Sequence, residues 1–423
     1  MIFGIRKPKV NSVVRPVFCV DICTLNAFQT QRAGGLYPLH RTCDSAHFFA
    51  MNGMGVLTKF TDHVKPVIMT RLNLLLALLL LPALSFAGSV FDLMNHTNGD
   101  EHLAATLKLP VDSIMARSEA AQQALFSFVD AAGLEQEFSV KITTRGKFRR
   151  NRCEMPPLKI DFKKKDLEKR GLAAYDKYKL VVPCFENELA EELILKEHLA
   201  YQIYQTLTPY SYRTQLLKLT IKDENGGANH VMTAFIIEAT DEMAARNGGV
   251  EAPETRGLGA DNYDQEAEAT HAFFQYLVGN GDWSLLLRRN VKVIDVKGKL
   301  IPVGYDFDFT GFVGAPYATA STDTGQRSIY DRVYLGYAQN DEVIDRVSLT
   351  FKEKRREILK MIANVDIDAD ARSRTYRFAT RFFARVNRLR SDEEFTLYDQ
   401  LRGETAAFIP TGESPSHYQS MGR

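Results

Sequence analysis

Residues 278–311 read VGNGDWSLLLRRNVKVIDVKGKLIPVGYDFDFTG, and they hold most of the chemistry-bearing pattern in the chain. Asp282 stands in a Gly-Asn-Gly-Asp turn, Asn290 follows eight residues later, and Asp306-Phe307-Asp308 closes an apolar run. The alternation over residues 291–296 and 300–303 predicts a hairpin turning at Lys297-Gly298. Carboxylates beside a core-like strand are costly unless they are paired or bind a metal. Strand side chains alternate with period two, which would put Asp306 and Asp308 on one face. Together with the Asn290 amide oxygen they form a hard-oxygen ligand set suited to Mg²⁺ or Mn²⁺. Asp282 is then placed as a base facing the same cleft. The competing reading is a capped turn and a solvated strand end.

Upstream, "EFSVKITTRGKFR", "PPLKIDFKK" and "YKLVVPC" alternate apolar with polar residues and predict three strands. Residues 188–207 predict the clearest helix, with Leu189, Leu193, Ala200, Ile203 and Leu207 at helical spacing and Thr208-Pro209 as its stop. "TQLLKLTIK" and "HVMTAFIIEAT" predict two more strands about the turn "DENGGAN". Residues 111–132 show mixed helical spacings and predict short cap helices. Downstream, helices are expected over 265–278, 341–362, 368–390 and on to about 408, before a Ser-, Gly- and Pro-rich tail. This order predicts an α+β fold on the plan of a two-lobed kinase, and the resemblance given below makes that an atypical protein-kinase-like fold. Residues 88–240 would supply cap helices and a strand-rich lobe with one inserted helix. Residues 241–408 would supply a helical lobe holding the metal-site hairpin, and 409–423 a disordered tail.

The 423-residue composition, 45% hydrophobic and 25% charged, is that of a globular protein, and a net charge of +1 identifies no partner. Residues 1–68 lack a sustained period and read as upstream sequence ahead of the true start. "MTRLNLLLALLLLPALSFAGS" then shows the Arg, apolar core and small-x-small site of a signal peptide over residues 69–87. An uncleaved anchor is the alternative, although the apolar core is shorter than the ~20 residues of a bilayer span. Cleavage after Ala87 predicts an exported chain, periplasmic or secreted, with no stable membrane span. Only Cys153 and Cys184 then remain, either as a disulfide or as two buried thiols.

Phosphoryl transfer needs cations on the phosphates, a metal held by oxygen ligands and a base that orients the acceptor. Arg145, Gly146 and Lys147, with Arg149 and Arg150, form a basic turn that could cradle phosphate; a solvated loop is the plainer account. Lys159, on the polar face of the next strand, is placed to reach a nucleotide, with Glu197 of the 188–207 helix as its partner. Arg374, Arg377, Arg381, Arg385 and Arg388 line a helix beside Phe378, Phe382 and Val386. They make a basic stripe, solvated or facing an anionic surface.

From about Phe91 to Gly336 the chain resembles a group of exported bacterial proteins distantly similar to the spore-coat CotH kinase family. The resemblance rests on "RGKFRRNRCEMPPLKIDF", "YKLVVPC", "LKEHLAYQIYQTLTPYSYRTQLLKLT", "FIIEATDEMAARNG", "FQYLVGNGDWS" and "PVGYDFDFTGFVGAPYA". It implies Asp282 as catalytic aspartate, Asp306 and Asn290 as metal ligands, Lys159 on phosphate and Glu197 beside it. Asp308 stands where protein kinases have the Gly of Asp-Phe-Gly. The expected function is thus a CotH-like phosphotransferase using ATP with Mg²⁺ or Mn²⁺ on a protein or envelope component, with no nucleic-acid partner. The alternative is a non-catalytic binding or assembly protein on the same scaffold.

Overall fold

A computed structural model describes residues 88–95, 101–391 and 394–403. The expected signal peptide, the upstream 1–68 segment and the tail lie outside the described residues. The described residues hold together as one compact unit.

The strand-rich half closes on itself. Strands β1 (Leu103–Leu109), β2 (Gln122–Val129), β3 (Glu135–Thr144), β4 (Leu158–Phe162), β5 (Lys177–Val181), β6 (Thr214–Asp223) and β7 (His230–Ile237) form a barrel in the order β1-β2-β3-β4-β5-β7-β6. Neighbours pair antiparallel except at the closure, where β1 runs parallel to β6 from Leu103↔Leu217 to Leu109↔Asp223. The expected two-lobed kinase-like arrangement is therefore not the fold. The strands close into a seven-stranded mixed barrel with no free sheet edge, whereas a strand-rich lobe with one inserted helix was expected.

The error traces to residues 111–132. Helix α2 (Val111–Met115) is real, but the remainder is mostly β2, whose inward residues Ala124, Phe126 and Phe128 follow period two. Leu125 and Val129 are apolar yet exposed on the outer face, and they hid the alternation. Helix α1 (Val90–Met94) closes the barrel core with Val90, Phe91 and Met94 fully buried. The interior is packed rather than hollow: Phe126, Phe138 and Tyr178 each meet Phe162 edge to face.

Strand β1 was not expected either; β3 to β7, the 291–303 hairpin and the long helices lie where expected. The basic turn after β3 winds into helix α3 (Lys147–Arg152), and a short α4 (Lys164–Lys169) follows β4. Helix α5 (Ala190–Leu207) crosses between β5 and β6 and buries Ile194, Tyr201 and Tyr204 in a second core. That core also holds α6 (Thr240–Arg246), α7 (Gln265–Val278), the hairpin β9 (Val291–Val296) and β10 (Lys299–Gly304), α8 (Asp341–Asn364) and α9 (Ala369–Val386). The two-residue β8 (Val250–Glu251) extends the hairpin sheet, and α10 (Leu397–Arg402) ends the described chain. The basic stripe is exposed at Arg374, Arg377 and Arg381 on α9 and at Arg388 just past its end, while Phe378, Phe382 and Val386 are buried. Among the described residues no helix is long and apolar enough to cross a membrane.

Glu268, fully buried on α7, accepts from the Tyr337 backbone N–H and the Gln339 amide at 3.0 Å each. Burial pushes its carboxyl up to about 7. The folded state thus keeps a proton that the unfolded chain releases near 4.5. The resulting stability is fully present below 4.5 and lost as pH rises through about 7, a span worth up to about 3 kcal/mol. Glu242, held up to about 7 mainly by burial, acts in the same direction. Between pH 4.5 and 7 this contribution should be lost, so Glu268→Gln should tilt the melting-temperature profile upward with pH relative to wild type. An unchanged slope in the variant rejects the assignment.

Candidate functional site

The site lies where α5, the end of β10 and α3 meet. Glu197 sits mid-helix on α5 and is 2% exposed. Strand β10 ends at Gly304, so Asp306 and Asp308 belong to a turn and not to a strand face as expected. Asp306 has a φ of 67°, a left-handed conformation that few residues other than Gly, Asn and Asp adopt. Its backbone N–H donates to the Tyr201 hydroxyl at 2.9 Å. Phe307 is fully buried between Tyr201 and Phe274, with ring centroids at 4.6 and 5.2 Å, and pins the turn from below. In consequence one ligand atom each from Glu197, Asp306 and Asp308 lies within 4.8 Å of the others.

Cations surround this acidic group. Arg149 of α3 is 8% exposed; its Nη1 lies 3.4 Å from Asp308 Oδ2, and its Nη2 donates to the Val182 carbonyl at 3.1 Å. Burial opposes the Arg149 charge, but Asp308 and its neighbours more than offset that cost and keep the guanidinium protonated. Burial pushes the Glu197 and Asp308 carboxyls up, Asp308 repels Glu197 further, and Arg149 partly compensates both. The Lys179 amine of β5 lies 3.4 Å from the Tyr305 ring centroid. Burial, then Arg145, bring it down to about 7, against the pull of Asp306. Lys179 Nζ, Glu197 Oε1, Asp308 Oδ2 and Arg149 Nη1 are all buried without a hydrogen-bond partner. Apart from the 3.4 Å ion pair between Arg149 and Asp308, these charges stand desolvated and without hydrogen-bond partners, which makes the cluster a candidate site.

Asp282 follows Gly279, the left-handed C-terminal residue of α7, through Asn280. Asn280 is 1% exposed; its amide donates to Gln275 Oε1 at 2.9 Å and its oxygen accepts the Asp282 N–H at 2.8 Å. Burial raises the Asp282 carboxyl, Arg289 lowers it, and Asp306 raises it again, which places Asp282 within electrostatic reach of the cluster. Asn290, at φ 52°, donates its amide to the Asp282 carbonyl at 2.7 Å and carboxylate at 3.0 Å. It orients the expected base in this arrangement, and the acidic group that forms contains Glu197 in its place.

Lys159, expected on phosphate, pairs in register with Lys179 on the neighbouring strand. Arg149 and Arg145, not Lys159, are the cations that act on Glu197. The Lys147 side chain lies outside the described residues, and Gly146 turns the chain into α3 at φ 71°. Lys179 was missed, although its position in KYKLVV, a cation within an apolar strand, is a signal that could have found it. Tyr317 was missed too: it bonds the Asp308 carboxyl and lines a narrow cleft with Arg149, Cys184, Glu197 and Asp308. Cys153 and Cys184 form the disulfide, one of the two outcomes left open by the sequence.

No protein-family model matches the chain, and no curated protein matches it.

Proposed function

We propose that Glu197, Asp306 and Asp308 hold a divalent cation, Mg²⁺ or Mn²⁺, that presents a phosphate-bearing ligand to Asp282. The observation that carries this reading is three converging carboxylates, of which Glu197 and Asp308 each keep a buried oxygen with no hydrogen-bond partner, ringed by Arg145, Arg149 and Lys179. Hard oxygen ligands suit these cations, and the basic ring suits phosphate oxygens. With ATP as the ligand, the cation and the basic ring would neutralise the phosphates while Asp282 accepts the proton of an attacking hydroxyl. The disulfide favours an oxidising compartment and thus an exported protein or envelope substrate.

The test is thermal stabilisation by Mn²⁺, alone and with ATP, followed by transfer of labelled γ-phosphate. Ligand binding to the folded state raises stability by mass action. Mn²⁺ should raise the melting temperature and ATP should raise it further. Asp282→Asn should keep both shifts and lose transfer. Absence of any Mn²⁺ shift rejects the reading, and shifts without transfer by wild type reduce it to a binding site.

Lys179→Met should have two effects of opposite sign. Replacing a buried, unsatisfied amine by an apolar chain of similar length is expected to raise stability by about 1 kcal/mol. The same change should weaken ATP binding while leaving the shift with Mn²⁺ alone. Urea unfolding and the two thermal shifts measure these outcomes, and a variant that binds ATP like wild type removes Lys179 from the site.

A further inference from the structure

We infer that the Cys153–Cys184 disulfide regulates the cation site by holding Arg149 against Asp308; this rests on the reading of Glu197, Asp306 and Asp308 as cation ligands. Cys153 is the C-terminal cap of α3, and its N–H donates to the Arg149 carbonyl at 2.8 Å. Its partner Cys184 follows β5 by three residues and lines the cleft that Arg149, Glu197 and Asp308 also line. The bond therefore ties the helix carrying Arg149 to the segment whose Val182 carbonyl receives the Arg149 guanidinium. Beyond the disulfide, the two segments are joined by the Glu154 N–H to the Cys184 carbonyl and the Glu186 N–H to Glu154 Oε2. Neither of these bonds reaches Arg149.

A guanidinium beside a cation ligand has two consequences. It competes with an incoming metal for Asp308, and it offers an anion-binding group to a metal-bound phosphate. Fastened, the site disfavours a bare cation and favours a cation that arrives with phosphate. Released, it does the reverse. Release occurs by thiol–disulfide exchange with an external dithiol: the protein disulfide becomes two thiols, and the dithiol becomes a disulfide, with two electrons and two protons transferred. Both cysteines are buried, and Cys184, in the cleft wall, is the less enclosed of the two, so attack on it follows local opening.

The experiment compares oxidised wild type, dithiothreitol-reduced wild type, Cys153→Ser and oxidised Arg149→Gln, each checked for fold by circular dichroism. Reduction and Cys153→Ser should speed trypsin cleavage after Arg149 or Arg150 about tenfold, because α3 opens locally without its fastening. Both should tighten Mn²⁺ binding about tenfold and weaken the added shift with ATP. Oxidised Arg149→Gln should already bind Mn²⁺ at the tighter level, and reduction should add nothing to it. Equal Mn²⁺ affinities in oxidised and reduced wild type overturn the regulation and leave the cation reading standing, as does an Arg149→Gln chain that still responds to reduction. Absence of Mn²⁺ binding in every form removes the cation reading and the regulation with it.

Discussion

Asp306→Asn is expected to weaken Mn²⁺ binding at least about 100-fold while leaving stability within about 1 kcal/mol of wild type. Asn has the size of Asp and is, with Asp, among the side chains that tolerate the left-handed backbone seen here at φ 67°. The bond from this residue to the Tyr201 hydroxyl uses the backbone N–H, so the substitution does not touch it. What changes is one charge in a group of three carboxylates. Asp306→Ala makes a useful contrast. It removes the same charge but places a side chain without local hydrogen bonding in a left-handed position, adding a cost of about 1 kcal/mol. The two variants should therefore agree on cation affinity and differ in melting temperature without metal. Scanning calorimetry with and without Mn²⁺ reads both quantities. A normal Mn²⁺ shift in Asp306→Asn would show that the carboxylates cluster for another reason.

What the sequence discloses about this fold depends on the range of the interaction involved. Helices α5 and α7 and the β9–β10 hairpin were legible because their signals are local: helical spacing stopped by Thr208-Pro209, a C-terminal Gly279, and a Lys-Gly turn. The closure of the barrel is not local. It depends on β1 lying parallel to β6, more than a hundred residues away, and a parallel pair has no connecting turn to announce it. Missing β1 and β2 left a five-stranded sheet that resembled one lobe of a kinase.

The site shows the same division. Asp306, Asp308 and Glu197 were legible as acids in apolar surroundings, a conflict that burial makes expensive. Their geometry was not, because the left-handed residue at Asp306 breaks the strand alternation used to place them. Asn290 was read as a metal ligand through its amide oxygen, and what sequence spacing did not show is that its NH2 group donates to the Asp282 carbonyl and carboxylate. Lys179 reads as an outward strand lysine until the rings of Tyr212 and Tyr305 stand against its amine, and that covering is tertiary.

Phe307→Ala is expected to cost about 3–5 kcal/mol, a large share of the ~5–15 kcal/mol that holds a typical domain folded. The ring is fully buried and meets Tyr201 at 4.6 Å, Phe274 at 5.2 Å and Tyr204 at 6.4 Å, so three neighbours lose their packing partner together. The loss also reaches the site by a traceable path. Tyr201 packs on Phe307, receives the Asp306 N–H, and stands one helical turn after Glu197 on α5. One aromatic wedge thus sets the height of Asp306 and Asp308 relative to the helix that supplies the third carboxylate. Phe307→Leu keeps an apolar wedge of smaller volume and should cost less than half as much, with Mn²⁺ affinity near wild type. Phe307→Ala should lower both stability and the Mn²⁺ affinity of the molecules that remain folded. Urea unfolding in the absence of metal, followed by Mn²⁺ titration at low urea, separates the two losses. If Phe307→Ala unfolds readily yet binds Mn²⁺ like wild type when folded, the wedge supports the core alone, and the ligand geometry is set by the backbone of the 304–308 turn.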